Sequence, residues 1–341
     1  VLMIPHNRPT LDIEEEEAAI RVLRSGWLTQ GKEVEAFENE FCKFIGLPGG
    51  HAVAVSSGTA SLFLSLWVLN AKNKKISFPG YVCSALHHSI AMIGGNENLI
   101  DTTPNSPNLD LNLLKKSNSD IAILPHMYGI PMDISNFKNE IIIEDCCQAL
   151  GAKVKNKMVG LQGDVAIFSF YATKLMTSGG QGGMFVSKNQ EYVDAVRDYR
   201  EFDYRNDSKT RFNFKMTDLQ AAIGREQLKK LPDFLKRREE IFQYYKKAGL
   251  DLLDVPEEKN GILEPVRFRA ILKTENPRHV IKSLDSIDVR AIVPTEDWEL
   301  LGPQTSFPNG LKLSRETVSL PIYPSLTNED LDHVLSGIVK K

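Results

Sequence analysis

Residues Ile141–Met184 read IIIEDCCQALGAKVKNKMVGLQGDVAIFSFYATKLMTSGGQGGM. Two short apolar runs stand out in this stretch. Ile141–Ile143 ends on the acids Glu144 and Asp145, and Val165–Phe170 is followed by Lys174 and the glycine cluster Gly179–Gly183. Unbroken apolar runs of this length fit strands buried on both faces of a parallel sheet. Ligands of open α/β sheets sit outside the carboxyl ends of such strands, so Asp145 and Lys174 are expected to converge on one crevice from neighbouring strand ends. A carboxylate and a lysine so placed suit a cofactor that needs a covalent amine and a counter-charge.

Upstream, His51–Ser56 reads as a strand, and SGTASLFLSLWVLN follows as a helix apolar on nearly all sides, hence buried. Ser57, Gly58 and Thr59 form the turn between them. Free N–H groups at a helix start, with hydroxyls and a glycine that permits close approach, make a phosphate site; the same residues also serve as a plain N-cap. Lys75–Phe78, Asn98–Asp101, Ile121–Leu124 and Met184–Ser187 read as further strands, and Ser84–Met92 as a helix closed by Gly94 and Gly95. This alternation implies a mostly parallel sheet covered on both faces.

At the N-terminal side, residues 13–25 have Ile13, Ala18, Ile20, Val22 and Leu23 near helical spacing. Glu14–Glu17 are expected to form a solvated face favoured by the helix dipole. Tyr192–Phe202 and Met216–Leu231 read as helices. Around Pro232 the pattern changes to a charged amphipathic helix, Phe234–Lys247, and then to a proline-punctuated α+β segment. We expect two domains, residues 1–235 and 236–341.

The bulk numbers exclude some partners. With 341 residues, 42% apolar, 25% charged and a formal net charge of -3, nothing points to nucleic acid or an anionic membrane. No apolar stretch reaches the roughly 18 residues of a membrane span. The N-terminal residues lack the basic-then-apolar order of a signal peptide. Cys42, Cys83, Cys146 and Cys147 have no metal-ligand spacing. They are expected to be free thiols, small and buried, in a reducing cytoplasm. Cys146 and Cys147 should point to opposite sides of an extended segment.

IEDCCQALGA, GDVAIFSFYATK, the glycine cluster and SSGTASL together resemble the DegT/DnrJ/EryC1/StrS family of sugar aminotransferases, pyridoxal-phosphate enzymes of the aspartate-aminotransferase (type I) fold. PHMYGIPMDI (125–134), RFNFKMTDLQAAIG (211–224) and SLPIYPSLTNEDLDHVLSGIV (319–339) extend the resemblance over nearly the whole chain, most weakly between residues 250 and 312. It implies an α/β large domain with a mostly parallel sheet sandwiched by helices, and a smaller C-terminal α+β domain. It also implies transfer of an amino group from glutamate to a keto-sugar, most often nucleotide-linked, through a Schiff base of Lys174 with pyridoxal 5'-phosphate. Asp145 would keep the ring nitrogen protonated, and Gln148 would contact the ring or its 3-hydroxyl. Ser57, Gly58, Thr59 and Ser169 would bind the phosphate. Asn213 would reach the phosphate of the neighbouring subunit, making a homodimer with shared active sites.

The sequence departs from the family pattern at several places. Cys83 stands where an aromatic ring usually stacks on the cofactor, and cysteine can pack but cannot stack. Arg211 and Lys215 replace the usual Gly and Arg around Asn213, Gln181 replaces Glu, and PTEDWELLG lacks the usual histidine-aromatic sequence. Sugar dehydration, which uses histidine in place of the lysine, is opposed by Lys174. A cyclitol (keto-inositol) acceptor stays open. A non-catalytic, pyridoxal-phosphate-binding regulatory protein is opposed by intact Lys174, Asp145 and Asn213.

Overall fold

The computed structural model describes residues 3–137 and 140–338. Strands β1 (Ala52–Val55), β2 (Lys75–Pro79), β3 (Asn96–Ile100), β4 (Ile121–Pro125) and β5 (Ile141–Asp145) precede a small hairpin, β6 (Lys153–Val154) and β7 (Lys157–Met158); β8 (Val165–Ser169) and β9 (Gly183–Val186) follow. The seven strands other than the hairpin form one sheet, in the order β1-β9-β8-β5-β4-β2-β3. Only β9 runs against its neighbours; the other pairings are parallel.

Side chains alternate across a strand, and here both faces are dry. Val53, Val55, Ile143, Val165 and Ile167 pack on one side, while Ala52, Ala54, Ala166, Phe168 and Met184 pack on the other. That double burial is why the strands read as unbroken apolar runs. The first face carries α3 (Gly58–Val68) and α4 (Ala85–Ile93); the second meets Phe37 and Phe41 of α2 (Lys32–Ile45) and Leu228 and Leu231 of a long helix, Asp218–Lys247. Before α2 comes α1 (Ile13–Ser25); α5 (Leu111–Lys116) and α6 (Gln190–Arg200) lie between α4 and that long helix, which is α7.

Past α7 the chain adds β10 (Leu263–Glu264), β11 (Ala270–Lys273), α8 (Pro277–Asp285), α9 (Pro308–Arg315), β12 (Thr317–Leu320) and α10 (Asn328–Ser336). A separate core forms here, in which Ile241, Phe242 and Tyr245 of α7 meet Ala270, Leu272, Val318 and Leu320. Ile4 belongs to this core, held by a parallel bridge to Val289. Val339, at the end of the C-terminal motif, lies outside the described residues. Among the described residues no helix is long and apolar enough to cross a membrane.

Several expectations need correction. The helices expected on either side of Pro232 are one continuous element of 30 residues with the proline inside it. An interior proline removes a hydrogen bond, but Leu231 and Phe234 beside it are buried, and their packing overrides the local preference. Glu15 is not solvated: at 3% exposure it accepts from Gln227 Nε2 (2.8 Å), Lys230 Nζ (2.8 Å) and Asp12 N (2.9 Å), tying α1 to α7. Of the expected apolar stripe on α1, only Ala18 and Val22 are buried, against Ala222; Ile13, Ile20 and Leu23 face outward. Cys147 opens a turn rather than continuing a strand, Cys83 is exposed, and Cys147 is only partly covered.

Candidate active site

Strands β5 and β8 are parallel neighbours, with Asp145 opposite Ile167, so their carboxyl ends open on the same side. A cleft of about 350 Å³ lies there, walled by Asp145, Gln148, Ser169 and Lys174, by the Ser57–Thr59 turn and by Cys83. All the expected cofactor residues but Asn213 thus meet in one place.

Each is fixed by local bonds. Asp145 Oδ1 accepts from Cys147 N at 3.0 Å, which sets the direction of the carboxylate at the strand end. Burial, with Asp145 next, pushes the Cys147 thiol well above its usual range, so it stays protonated beside the acid. Gln148 Oε1 accepts from Tyr128 N at 2.8 Å, leaving the amide NH₂ as its donor group. Tyr128 itself has φ of 58°, an unusual left-handed conformation for an aromatic residue, and its hydroxyl pairs with that of Tyr81 at 2.8 Å. Lys174 sits in the turn after β8, pinned by Lys174 N to Tyr171 O (2.9 Å) and Asn7 Nδ2 to Thr173 O (2.9 Å). Its Nζ stands 5.3 Å from the centroid of the Phe268 ring.

At the other end, Ser57 caps α3 by accepting from Ala60 N at 3.0 Å. The N–H groups of Gly58 and Thr59 have no acceptor among the described residues. A Cβ on Gly58 would come within 2.8 Å of Ser169 Cβ, and one on Gly183 within 2.3 Å of Ser57 O. Only glycine fits at either position. Orphan donors at a helix start, a hydroxyl and a backbone cradle suit a phosphate.

Asn213 is exposed and outside the cleft, its Oδ1 accepting from Lys215 N at 3.3 Å. Phe214 O accepts from Ser56 N at 2.9 Å, so the segment runs beside the end of β1. Arg211 is bound bidentately to Asp198, Nε donating to Oδ2 at 3.2 Å and Nη2 to Oδ1 at 3.1 Å, and also pairs with Asp207; Lys215 Nζ meets Asp203 at 3.3 Å. Gln181 lines the cleft.

Sequence reasoning passed over His126, Cys147 and Tyr171, which also line the cleft. His126 follows Pro125, the β4 residue opposite Asp145, so the strand-end rule applied to β4 would have found it. It also passed over Glu144, whose carboxylate is fully buried. Its Oε1 accepts from Gln162 N (2.6 Å) and Gly163 N (2.7 Å), and its Oε2 from Gly160 N (2.9 Å) and His126 Nε2 (3.1 Å). Met132 N donates to His126 Nδ1 at 3.0 Å, which places the imidazole proton on Nε2. Cys146 lies near both, but the carboxylate is already committed to four donors and anchors the 160–163 loop under Asp145.

Comparison with known proteins agrees with this geometry. The model of the DegT/DnrJ/EryC1/StrS aminotransferase family matches residues 9–339. The spore coat polysaccharide biosynthesis protein SpsC of Bacillus subtilis (strain 168) is 30% identical, over 98% of this chain and 96% of its own. GDP-perosamine synthase of Escherichia coli O157:H7 is 28% identical, over 98% and 97%. The crystal structure of the aminotransferase TlmJ of Streptoalloteichus hindustanus superposes with a TM-score of 0.91 at 24% identity, covering 98% of each chain. The chain therefore belongs to the DegT/DnrJ/EryC1/StrS aminotransferase family, whose members are pyridoxal-phosphate-dependent sugar aminotransferases.

Proposed function

We propose that this enzyme moves the amino group of glutamate onto the keto carbon of a nucleotide-linked sugar, working as a homodimer. The observation that carries the reading is the meeting of Lys174, Asp145 and the Gly58, Thr59 and Ser169 donors in one cleft. Pyridoxal 5'-phosphate bound there supplies an aldehyde that takes amines covalently and a ring that withdraws electrons. Asp145 holds the proton on the ring nitrogen by charge pairing. Gln148 offers its NH₂ to the ring's hydroxyl oxygen. Ser169 and the helix-start N–H groups hold the phosphate and so orient the ring. Lys174 Nζ carries the proton between the carbons that exchange the amine. Cys83 packs on the ring without stacking.

The nucleotide-linked acceptor is supported by the likeness to GDP-perosamine synthase along nearly the full chain. The homodimer is supported by Asn213, which faces out of its own cleft, and by the outward apolar residues Ile13, Ile20, Leu23 and Phe212. In a dimer Asn213 would serve the partner's phosphate.

The test splits the reaction in two. Holoenzyme treated with glutamate and freed of it should lose the absorbance of the aldehyde form. A keto-sugar nucleotide should restore that absorbance, while simple keto-sugars restore it poorly. Restoration by keto-inositol alone would move the acceptor to the cyclitols. An enzyme whose spectrum ignores every amino acid would be a regulatory binder instead.

A further inference from the structure

The largely buried guanidiniums among the described residues differ in what answers their charge. Arg200 pairs with Glu38, Arg211 with Asp198 and Asp207, and Arg267 with Glu239 and Asp254. Arg238 instead gives Nη1 to the carbonyls of Arg267, Phe268 and Ile322. Arg269 has neither a carboxylate nor a carbonyl among the described residues. Its Nη1 reaches His6 Nε2 (3.1 Å) and Ser319 Oγ (3.4 Å) and nothing negative. His6 adds no charge of its own: burial, with the charges of Arg269 and Arg290, pushes its pKa down to about 3. Tyr81 and Tyr128, whose hydroxyls pair with each other, have pKa values raised by burial and stay neutral. A largely desolvated cation without an ionic partner is costly, and the residue as a whole is not fully buried.

Its position gives the cost a purpose. The Phe268 ring lies 5.3 Å from Arg269 Cζ and 5.3 Å from Lys174 Nζ, so both cations stand at one ring. The N-terminal segment joins the same points: His6 touches Arg269, and the next residue, Asn7, binds Thr173 O beside Lys174. Asn7 Oδ1 is buried without a hydrogen-bond partner among the described residues, an acceptor open to an N–H donor.

We propose that Arg269 is the carboxylate subsite of the amino donor, its planar fork receiving a carboxylate of an amino acid whose nitrogen lies between Asn7 Oδ1 and Lys174. The inference deepens the aminotransferase reading and rests on it. An arginine suits a carboxylate because the fork offers parallel N–H donors, and the Phe268 ring links Arg269 to Lys174, which does line the cleft.

The experiment uses Arg269→Gln and Arg269→Lys holoenzymes, glutarate as a donor skeleton without the amine, and both half-reactions. By calorimetry the parent should bind glutarate, Arg269→Gln roughly 100-fold more weakly, the scale of losing one partner of a desolvated charge pair, and Arg269→Lys in between. The KM for glutamate should rise alongside, while the amine-loaded variants meet the keto-sugar nucleotide at the parental rate. Parental glutarate binding and glutamate turnover in Arg269→Gln would overturn the subsite and leave the proposed function standing. Equal loss in both half-reactions would also overturn it, because a residue that only supports the fold cannot choose between substrates. Arg269-dependent glutarate binding with no transfer to any acceptor would keep the subsite and end the proposed function. If Arg269→Gln does not fold, Arg269→Lys decides alone: normal melting with a loss confined to glutamate supports the subsite, and no loss overturns it.

Discussion

Glu144 and Asp145 are consecutive acids with separate tasks, and substitution should separate them. Asp145→Asn removes the counter-charge of the cofactor ring, so we expect turnover to fall at least ~100-fold, the scale of one proton-holding group, while melting and cofactor content stay near those of the parent. Rapid-quench turnover with a titrated cofactor checks this; parental activity would make Asp145 a mere turn former. Glu144→Gln should do the reverse. It sets an NH₂ against N–H groups that need an acceptor, at a cost of about 3 kcal/mol, read as a shift in the urea midpoint. Four donors hold the Glu144 pKa below its usual range despite the opposing effect of burial. A carboxyl depressed on folding stabilises fully above its unfolded value, near 4.5, and loses that contribution as pH falls through the folded value. The gap between parent and variant should therefore be constant above about pH 4.5 and shrink below it. Neither the latch nor the lone Arg269 was legible in the sequence: Glu144 looked like half of an acid pair, because its partners come from residues 126 and 160–163, which only the folded loops bring together.

At the scale of elements, the strands were legible because sheet burial writes itself as short apolar runs, and strand-end residues inherit the cleft. Pro232 misled because local propensity is weaker than the packing of a helix that joins two cores. The outward face of α1 misled for a similar reason: helical spacing locates a stripe without saying what covers it. One contact between elements should be decisive for the cofactor. Strand β9 backs onto the Ser57–Gly58 turn at Gly183, whose φ is ordinary, so the space alone forbids a side chain. Gly183→Ala should push that turn away, weaken pyridoxal phosphate measurably in an absorbance titration, and cost about 1–3 kcal/mol as an overpacked site. Unchanged affinity would mean that the phosphate is held elsewhere.

At the scale of the whole molecule, Asn213 shows what one chain cannot display, since its proposed role needs a second copy. Lys174→Ala and Asn213→Asp should each be nearly inactive alone. Mixed in one dimer, they leave one site with both lesions and the other with neither, so random reassortment should restore about a quarter of the sites under two-fold symmetry. Activity per subunit in co-expressed, verified mixed dimers measures this, and no recovery would confine Asn213 to its own chain. The N-terminal segment raises a different point. Ile4 is stitched to Val289 in the smaller core, His6 to Ser319, Asn7 to the turn of Lys174, and Thr10 O to Gln227 of α7. It is a leash that crosses from one core to the other. A protease nick between His6 and Asn7 would leave the residues that wall the cofactor cleft untouched, yet cut a connection that runs between the two cores beside α7. Such a clipped enzyme should melt in two steps, and would pass for a damaged active site although no residue of the cofactor cleft had changed.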